Sequence, residues 1–467
     1  MLAMLWLCAL AALAALAGVA SHSVEDFGAI ANVDTWKTAT HNSDVLYKVL
    51  LEANSSADRT VVFPIGQTYY VANSTLLDLH NVQIVVLGTV RFSDEINSYP
   101  LTDGANTEGL WLFKNCVGIH ITGPGTIDGQ GLKWWRYAYT GTDHRPRMIN
   151  FKVAKDIYIS HLTLLNSPSW FLNFGDCRDI LVHHVTIYTD PEVTRARGES
   201  VTYALNTDGI DLAAYNATVH HCNITNYDDA IVAKPCKGTG VYCTCAGNIL
   251  AHDNTIAYST GLTIGSVPPN DNVNCVRNVT FRDTTMYRPL KAIYIKSNPG
   301  DTGTGIIEDI LYENIFIQGA LWWTVWIGPQ QQNQPGGDSG TGCNFLFPFV
   351  PLCPTQPRVS IRRITLRNVT AVDTLPLFEG PGVVLCDPLN PCTDIVFDRV
   401  VNSMYAGNVT DVIALLPVPV PGVLFPTDMR SDDWEFNYIT SNVYGEERGT
   451  VPGVCMEKEC FWVAPEL

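Results

Sequence analysis

The chain has 467 residues, 46% hydrophobic and only 16% charged, which excludes a disordered chain, a coiled coil and a nucleic-acid-binding tail. Lys and Arg number 29 against 46 Asp and Glu, a net charge of −17, so a polyanionic partner has to be met by a local basic patch against the mean field, and nucleic acid is not expected. Gly 36 and Pro 27, with abundant Asn, Thr and Val, favour many short strands joined by turns over helices.

Residues 1–20 carry no charge and are almost all Leu, Ala and other apolar types. Gly18 and Ala20 put small residues at −3 and −1 before Ser21, the pattern of a cleaved signal peptide. A retained anchor fits less well, because an Ala-rich stretch is only weakly hydrophobic. The expected product is a secreted, extracellular monomer, one domain over 21–467, with no membrane association after signal removal.

Removal of residues 1–20 takes Cys8 from the 14 cysteines and leaves 13, so at least one thiol stays free if all pairs are internal. Cys386/Cys392, Cys455/Cys460 and Cys343/Cys353 are short-loop pairs. Cys236, Cys243 and Cys245 form a trio that a metal would complete only with His252, and disulfides are favoured in a secreted chain. Seven N-x-S/T sequons, at Asn54, Asn73, Asn216, Asn223, Asn278, Asn368 and Asn408, fit a secretory route. One amphipathic helix is expected, around Asn42–Asn54.

From residue 157 a phrase recurs: β-branched alternation, then Asn, His or Asp, then alternation again. It occurs at 157–164, 180–187, 219–224, 249–256, 276–281, 310–317, 359–366 and 395–400, first 23 residues apart and later near 30. No ten-residue helical pattern separates the copies, which argues against βαβ units. A β-sandwich needs Asp-Gly or Asn-Gly hairpins, yet Asp-Gly at 103, 128 and 208 lacks matched strands on either side. The period predicts an all-β solenoid, a parallel β-helix with equivalent residues stacked about 4.8 Å apart. The predicted helix covers its first coil, and a Pro-rich, disulfide-closed cover is expected from about 417.

Asp208, in Asn206-Thr-Asp-Gly-Ile-Asp211, and Asp228-Asp229 gather acids in a chain short of them. The 20-residue spacing of Asp208 and Asp228 is close to one coil, which would stack them on neighbouring rungs. Glycoside hydrolysis requires a protonated acid for the leaving oxygen and a carboxylate to activate water, and clustered acids raise one another's pKa. A turn at Asp-Gly and a solvated Asp-Asp tip explain the residues equally well. In a regular strand, moreover, Asp228 and Asp229 would face opposite sides, so both reach one groove only if the backbone bends.

The ordered phrases VEDFGA (24–29), TGPGTIDGQG (122–131) with Trp134-Trp135, Arg145-Pro146, NSPSW (166–170), NTDGID (206–211), DDAIVAKP (228–235), GLTIGS (261–266) and IYIKS (293–297) resemble glycoside hydrolase family 28, the polygalacturonases and related pectin hydrolases. The resemblance implies a right-handed parallel β-helix and an inverting hydrolysis without metal or cofactor. It makes Asp228 the general acid, with Asp208 and Asp229 activating water. It implies substrate contacts at Lys296, Tyr294, Asn206 and Thr260, and an acidic plant or algal cell-wall polysaccharide as partner. Lys234, Lys291, Lys296, Arg277 and Arg288 are expected to supply the local positive groove.

Two departures bear on the substrate. Thr260 stands where the family's polygalacturonases have the His of Gly-His-Gly, and Tyr294 where they have the Arg of Arg-Ile-Lys. Both look more like rhamnogalacturonan hydrolases. The alternatives are therefore a rhamnogalacturonan hydrolase, a catalytically silent carbohydrate-binding wall protein, and, least favoured, a Ca²⁺-dependent lyase. Trp322, Trp323 and Trp326 are either a sugar-stacking rim or core. His220 and His221 read as ladder or surface residues.

Overall fold

The computed structural model describes residues 22–100, 108–140, 144–190, 203–236, 240–271, 274–331, 342–344, 347–348, 350–375, 380–407 and 436–457. Residues 1–20, expected to be a signal, and Cys460 and Asn408 lie outside them. Among the described residues, the strands form one continuous sheet with every strand pairing parallel, each strand lying on its equivalent in the next coil. This is the parallel β-helix that the period predicts. The spacing of the repeat is read directly in the register: Ile157 lies on Ile180, Ile249 on Val279, Val279 on Ile310 and Ile364 on Ile395.

Inward-facing Ile, Val, Leu and Phe from each coil fill a single core, and the aromatics stack along it: Phe113 on Phe151 at 4.8 Å and Phe151 on Phe174 at 5.3 Å. The coils turn at residues in the left-handed region. One such column runs Asp156, Asp179, Asn216, Asn248, Asn278 and Asp309, all with φ between 53° and 61°. Asn and Asp tolerate that conformation and bridge to the next rung; Asn248 Nδ2 donates to Asn216 Oδ1 at 2.8 Å, and Asn278 Nδ2 to Asn248 Oδ1 at 3.3 Å. Three of the sequons, Asn216, Asn278 and Asn368, sit at such bends.

The covering helix, α1 (Trp36–Ser55), starts six residues before the predicted segment. The Thr35 side chain caps it by accepting from the Thr38 amide, and Ala39 extends the buried stripe of Asn42, Leu46, Val49, Leu50 and Ala53 by one turn. Periodicity alone missed that first turn because Lys37, Thr38, Thr40 and His41 carry no apolar signal.

At the other end, the described part of the tail from 417 pairs with the solenoid: Ile439–Ser441 with Val383–Leu385, and Val443–Arg448 with the strand Cys392–Met404. Cys343–Cys353 and Cys386–Cys392 are disulfides as the spacing suggested. The cysteine trio is not a metal site, since Cys236 bonds Cys243 and Cys245 bonds Cys275 on the next coil. Cys455 is disulfide-bonded, with its expected partner beyond the described residues. Cys116, Cys177 and Cys222 are free and buried, their thiols pushed up by burial, to about 11 for Cys116 and about 12 for Cys222. No helix among the described residues is long and apolar enough to cross a membrane.

Candidate active site

One outward column gathers the chemistry. Its register runs Arg147, Trp170, Asp208, Asp229, Thr260, Lys291 and Trp323, one residue per coil. The residue stacked on Asp208 is thus Asp229, not Asp228 as the spacing had suggested; the Gly209 amide donates to the Asp229 carbonyl at 2.8 Å. Gly209 is required by this close approach rather than by a turn, because a Cβ there would lie 2.4 Å from the Ala230 carbonyl oxygen.

Asp228 reaches the same spot because the chain bends just before the strand Ile231–Ala233. The buried Asn226 amide fixes that bend by donating to the carbonyl oxygens of Thr207, Asp228 and Asp229 at 2.8, 3.0 and 2.8 Å. The Asp229 amide in turn donates to Asp228 Oδ1 at 2.9 Å. Asp208, Asp228 and Asp229 each bring a carboxylate oxygen within 4.8 Å of the others, and they are 3%, 4% and 1% exposed.

Cations and hydroxyls are distributed unevenly over this triad. Asp229 has both oxygens taken: Oδ1 accepts from Thr260 at 2.5 Å and Thr263 at 2.9 Å, and Oδ2 pairs with Lys296 at 2.8 Å. Burial opposes ionisation of Asp229, but Lys296, Lys234 and these hydrogen bonds outweigh it and hold its pKa below the usual carboxylate range. Asp228 is pushed up by burial and by the charge of Asp229, and Asp208 well up by burial, Asp228 and Asp211. Asp208 Oδ1 has no hydrogen-bond partner among the described residues, while Oδ2 lies 3.3 Å from Lys234. Lys234 also pairs with Asp211 at 2.9 Å, yet burial still lifts the Asp211 carboxyl to about 6. The site therefore holds one carboxylate whose pKa is lowered beside two whose pKa values are raised.

Of the predicted cations, three reach the acids, while Arg288 sits at a left-handed bend of the next coil, its amide donating to the Gln318 carbonyl. Lys234, Lys291 and Lys296 surround the acids, and burial beside Lys296 lowers the Lys291 ammonium to about 7. Arg277 does not join them; it is exposed on the strand Asn274–Tyr287, with Glu308 on the next rung. Tyr294 is buried, its ring lying 4.3 Å from Lys291 Nζ and 4.7 Å from Lys296 Nζ, and its hydroxyl accepts from the Gln331 amide. Tyr294 thus seats the lysines by cation–π attraction rather than facing open groove. Asn206, left-handed at φ 56°, has its Oδ1 held by the buried Arg145 at 2.8 Å, which fixes the loop that presents Asp208. Trp322, Trp323 and Trp326 are core, packed with Tyr294, Phe347 and Val383 rather than forming a rim.

Sequence reasoning missed Thr263, Arg147 and Trp170. The Trp170 ring lies between Lys234 Nζ at 3.7 Å and the Arg147 guanidinium at 4.2 Å, next to Asp208 in the column. Only the stacking of coils brings these three segments together; Trp170 inside the NSPSW phrase and Thr263 inside GLTIGS were the sequence signals.

The sequence profile of the glycosyl hydrolases family 28 matches residues 58–414. An exopolygalacturonase of Rhizopus delemar is 26% identical over 361 residues, 75% of this chain and 81% of that protein. A probable endo-xylogalacturonan hydrolase A of Aspergillus fumigatus is 27% identical over 269 residues, 56% of this chain and 61% of its own. In three dimensions, the endo-xylogalacturonan hydrolase of Aspergillus tubingensis superposes with a TM-score of 0.60 at 19% identity, over 80% of this chain and 91% of that one. The polygalacturonase of Erwinia carotovora gives 0.59 at 19%, over 86% and 93%. The shared fold is the right-handed parallel β-helix. With three quarters of its length inside the family profile and an acid cluster at the motifs that suggested it, this chain belongs to the glycosyl hydrolases of family 28 and is a glycosidase.

Proposed function

We propose that the chain is a secreted hydrolase of the α-glycosidic bonds in a pectin backbone, acting on galacturonan with inversion at the anomeric carbon. The observation that carries this reading is the asymmetric acid triad. Asp228, pushed toward its protonated form, donates to the leaving glycosidic oxygen. Asp229, held ionised by Lys296, takes the proton of the attacking water, and Asp208 shares the positioning of that water. As the glycosidic bond breaks, the Asp228 proton leaves on the alcohol product and the water proton goes to the base, so the pair is restored by one proton exchange with solvent.

Inverting enzymes in general separate their carboxylates by roughly 6.5–9.5 Å, wider than the spacing here. A covalent role for Asp229 is nevertheless disfavoured, because both its oxygens are engaged and stabilised as the anion. The water then has to approach beside the triad, on the cationic rim of Arg147, Lys234 and Lys291. Those same cations give an acidic polymer a local counter-charge in a chain of net charge −17, and galacturonan-type substrates are named for the relatives.

The test is reducing-sugar release from polygalacturonic acid, xylogalacturonan and a rhamnogalacturonan backbone, with proton NMR of the first product anomer. Cleavage of a galacturonan with an inverted anomer is expected. A retained anomer would overturn the mechanism. Release only from the rhamnose-containing polymer would make Thr260 and Tyr294 marks of a rhamnogalacturonan hydrolase. Release from none, in a folded protein, would leave a binding protein.

A further inference from the structure

Away from the acids, another corner of the solenoid is built of imidazoles. Of the 11 histidines in the chain, six stand in two adjacent columns. His183, His220 and His252 stack on successive coils, with ring centroids 5.0 and 5.1 Å apart. Beside them His161, His184 and His221 stack at 5.2 and 5.0 Å. The corner is separate from the acid site: His220 closes the strand Ile210–His220, at whose opposite end Asp208 and Asp211 lie.

His161, His184 and His221 occupy left-handed bends, with φ of 61°, 52° and 55°. Further along the same column the bend is filled by Asp253, Asp283, Asn314, Asn368 and Arg399, so residues other than His serve it as well. The backbone alone therefore does not ask for three imidazoles here. Their ring nitrogens converge: Nδ1 of His183 and Nδ1 of His184 are 2.8 Å apart, and one ligand atom from each of His161, His183 and His184 lies within 4.8 Å of the others. Two nitrogens each about 2.0 Å from one ion at a right angle are about 2.8 Å apart, the spacing of a tetragonal Cu²⁺ or Ni²⁺ site.

The surroundings orient these rings as ligands are oriented. The Tyr158 hydroxyl and His183 Nε2 are 2.6 Å apart, which leaves Nδ1 facing His184. The Asp253 carboxylate holds His252 Nδ1 at 2.6 Å and so fixes that ring. The pair His220 and His221 repeats the 2.8 Å Nδ1 spacing one coil further on.

We propose that this corner binds a late first-row divalent transition-metal ion, with His161, His183 and His184 as ligands and Cu²⁺ as the best-fitting occupant. Imidazole nitrogens suit these ions, and Cu²⁺ heads their affinity order among them. The ion ties two successive coils together through side chains that the acid chemistry does not use.

The test is a calorimetric titration of the tag-free full-length chain with Cu²⁺ at pH 7, with electron paramagnetic resonance reporting nitrogen ligation. The native chain should bind Cu²⁺ with hyperfine splitting from imidazole nitrogen. His184→Asn, which keeps a residue suited to the bend, should weaken binding by about 10-fold or more and reduce the number of coupled nitrogens, with metal-free hydrolysis unchanged. His161→Asn is the second variant and should behave alike, while His41→Asn, far along the sequence in α1, should bind as the native chain does. No uptake by the native chain, or unchanged affinity and splitting in both corner variants, would overturn the proposal.

Discussion

At the scale of single residues, the site turns on how one lysine and two hydroxyls divide three acids that are alike in sequence. Asp228→Asn removes the proposed proton donor and should lower kcat by about 10²–10⁴-fold with the circular dichroism spectrum unchanged. Near-native turnover would reject its role. Lys296→Met strips Asp229 of the charge that holds its pKa down. The base must be ionised to work, so the acid limb of kcat/KM should move to higher pH and the rate at pH 5 fall by about 10-fold or more; an unmoved limb would place the base elsewhere.

The same burial has a stability consequence with a definite sign. Asp208, Asp228 and Asp211 have folded-state pKa values raised above their unfolded ones, with Asp211 at about 6. Their contribution favours the fold below the unfolded carboxyl pKa and is lost as pH rises through the folded values. Asp229, depressed, contributes in the opposite direction, at pH above its unfolded pKa. Asp208→Asn removes one raised acid and should lift Tm at pH 7 by roughly 1–3 °C while activity is lost. A lower Tm at pH 7 than the native chain would contradict the assignment.

Between residue and fold lies the short bend from Asn226 to Ala230. Asp228 and Asp229 can share a groove only because the Asn226 amide binds three carbonyl oxygens and breaks the alternation of a strand. Asn226→Ala leaves those buried carbonyls without that donor, at about 2–3 kcal/mol, and frees the bend. The expected result is a fall in kcat much larger than any change in KM, measurable on polygalacturonic acid; equal activity would mean the bend is held by other contacts. A β period says where side chains alternate and nothing of where a side-chain amide interrupts it. The stacking partner of Asp208 was misplaced by one residue for the same reason.

For the whole molecule, the solenoid exposes an open end wherever it is not covered. α1 buries Leu46, Val49, Leu50 and Ala53 at the first coil. Deletion of Trp36–Ser55 should leave that core and its strand edges open, so the truncated chain should elute from size exclusion as multimers or aggregate. A monodisperse, native-sized product would show that α1 is dispensable. The column of Arg147, Trp170, Asp208, Asp229, Thr260 and Lys291 also exists only at this scale, its ends 144 positions apart in the chain.

The sequence alone was enough to determine the parallel β-helix, the covering helix apart from its first six residues, the gathering of the three acids and Lys296 in one place, and two of the disulfides. A 23- to 30-residue period of β-branched alternation stacks the same positions on one face in any solenoid, and local chemistry carries that signal. Only the tertiary structure decided which acid has its pKa lowered, that Tyr294 supports lysines, that Asn206 serves its loop, and that Thr263, Arg147 and Trp170 lie beside the acids. Those outcomes depend on burial and on neighbours contributed by other coils, and neither is written in the residue types themselves.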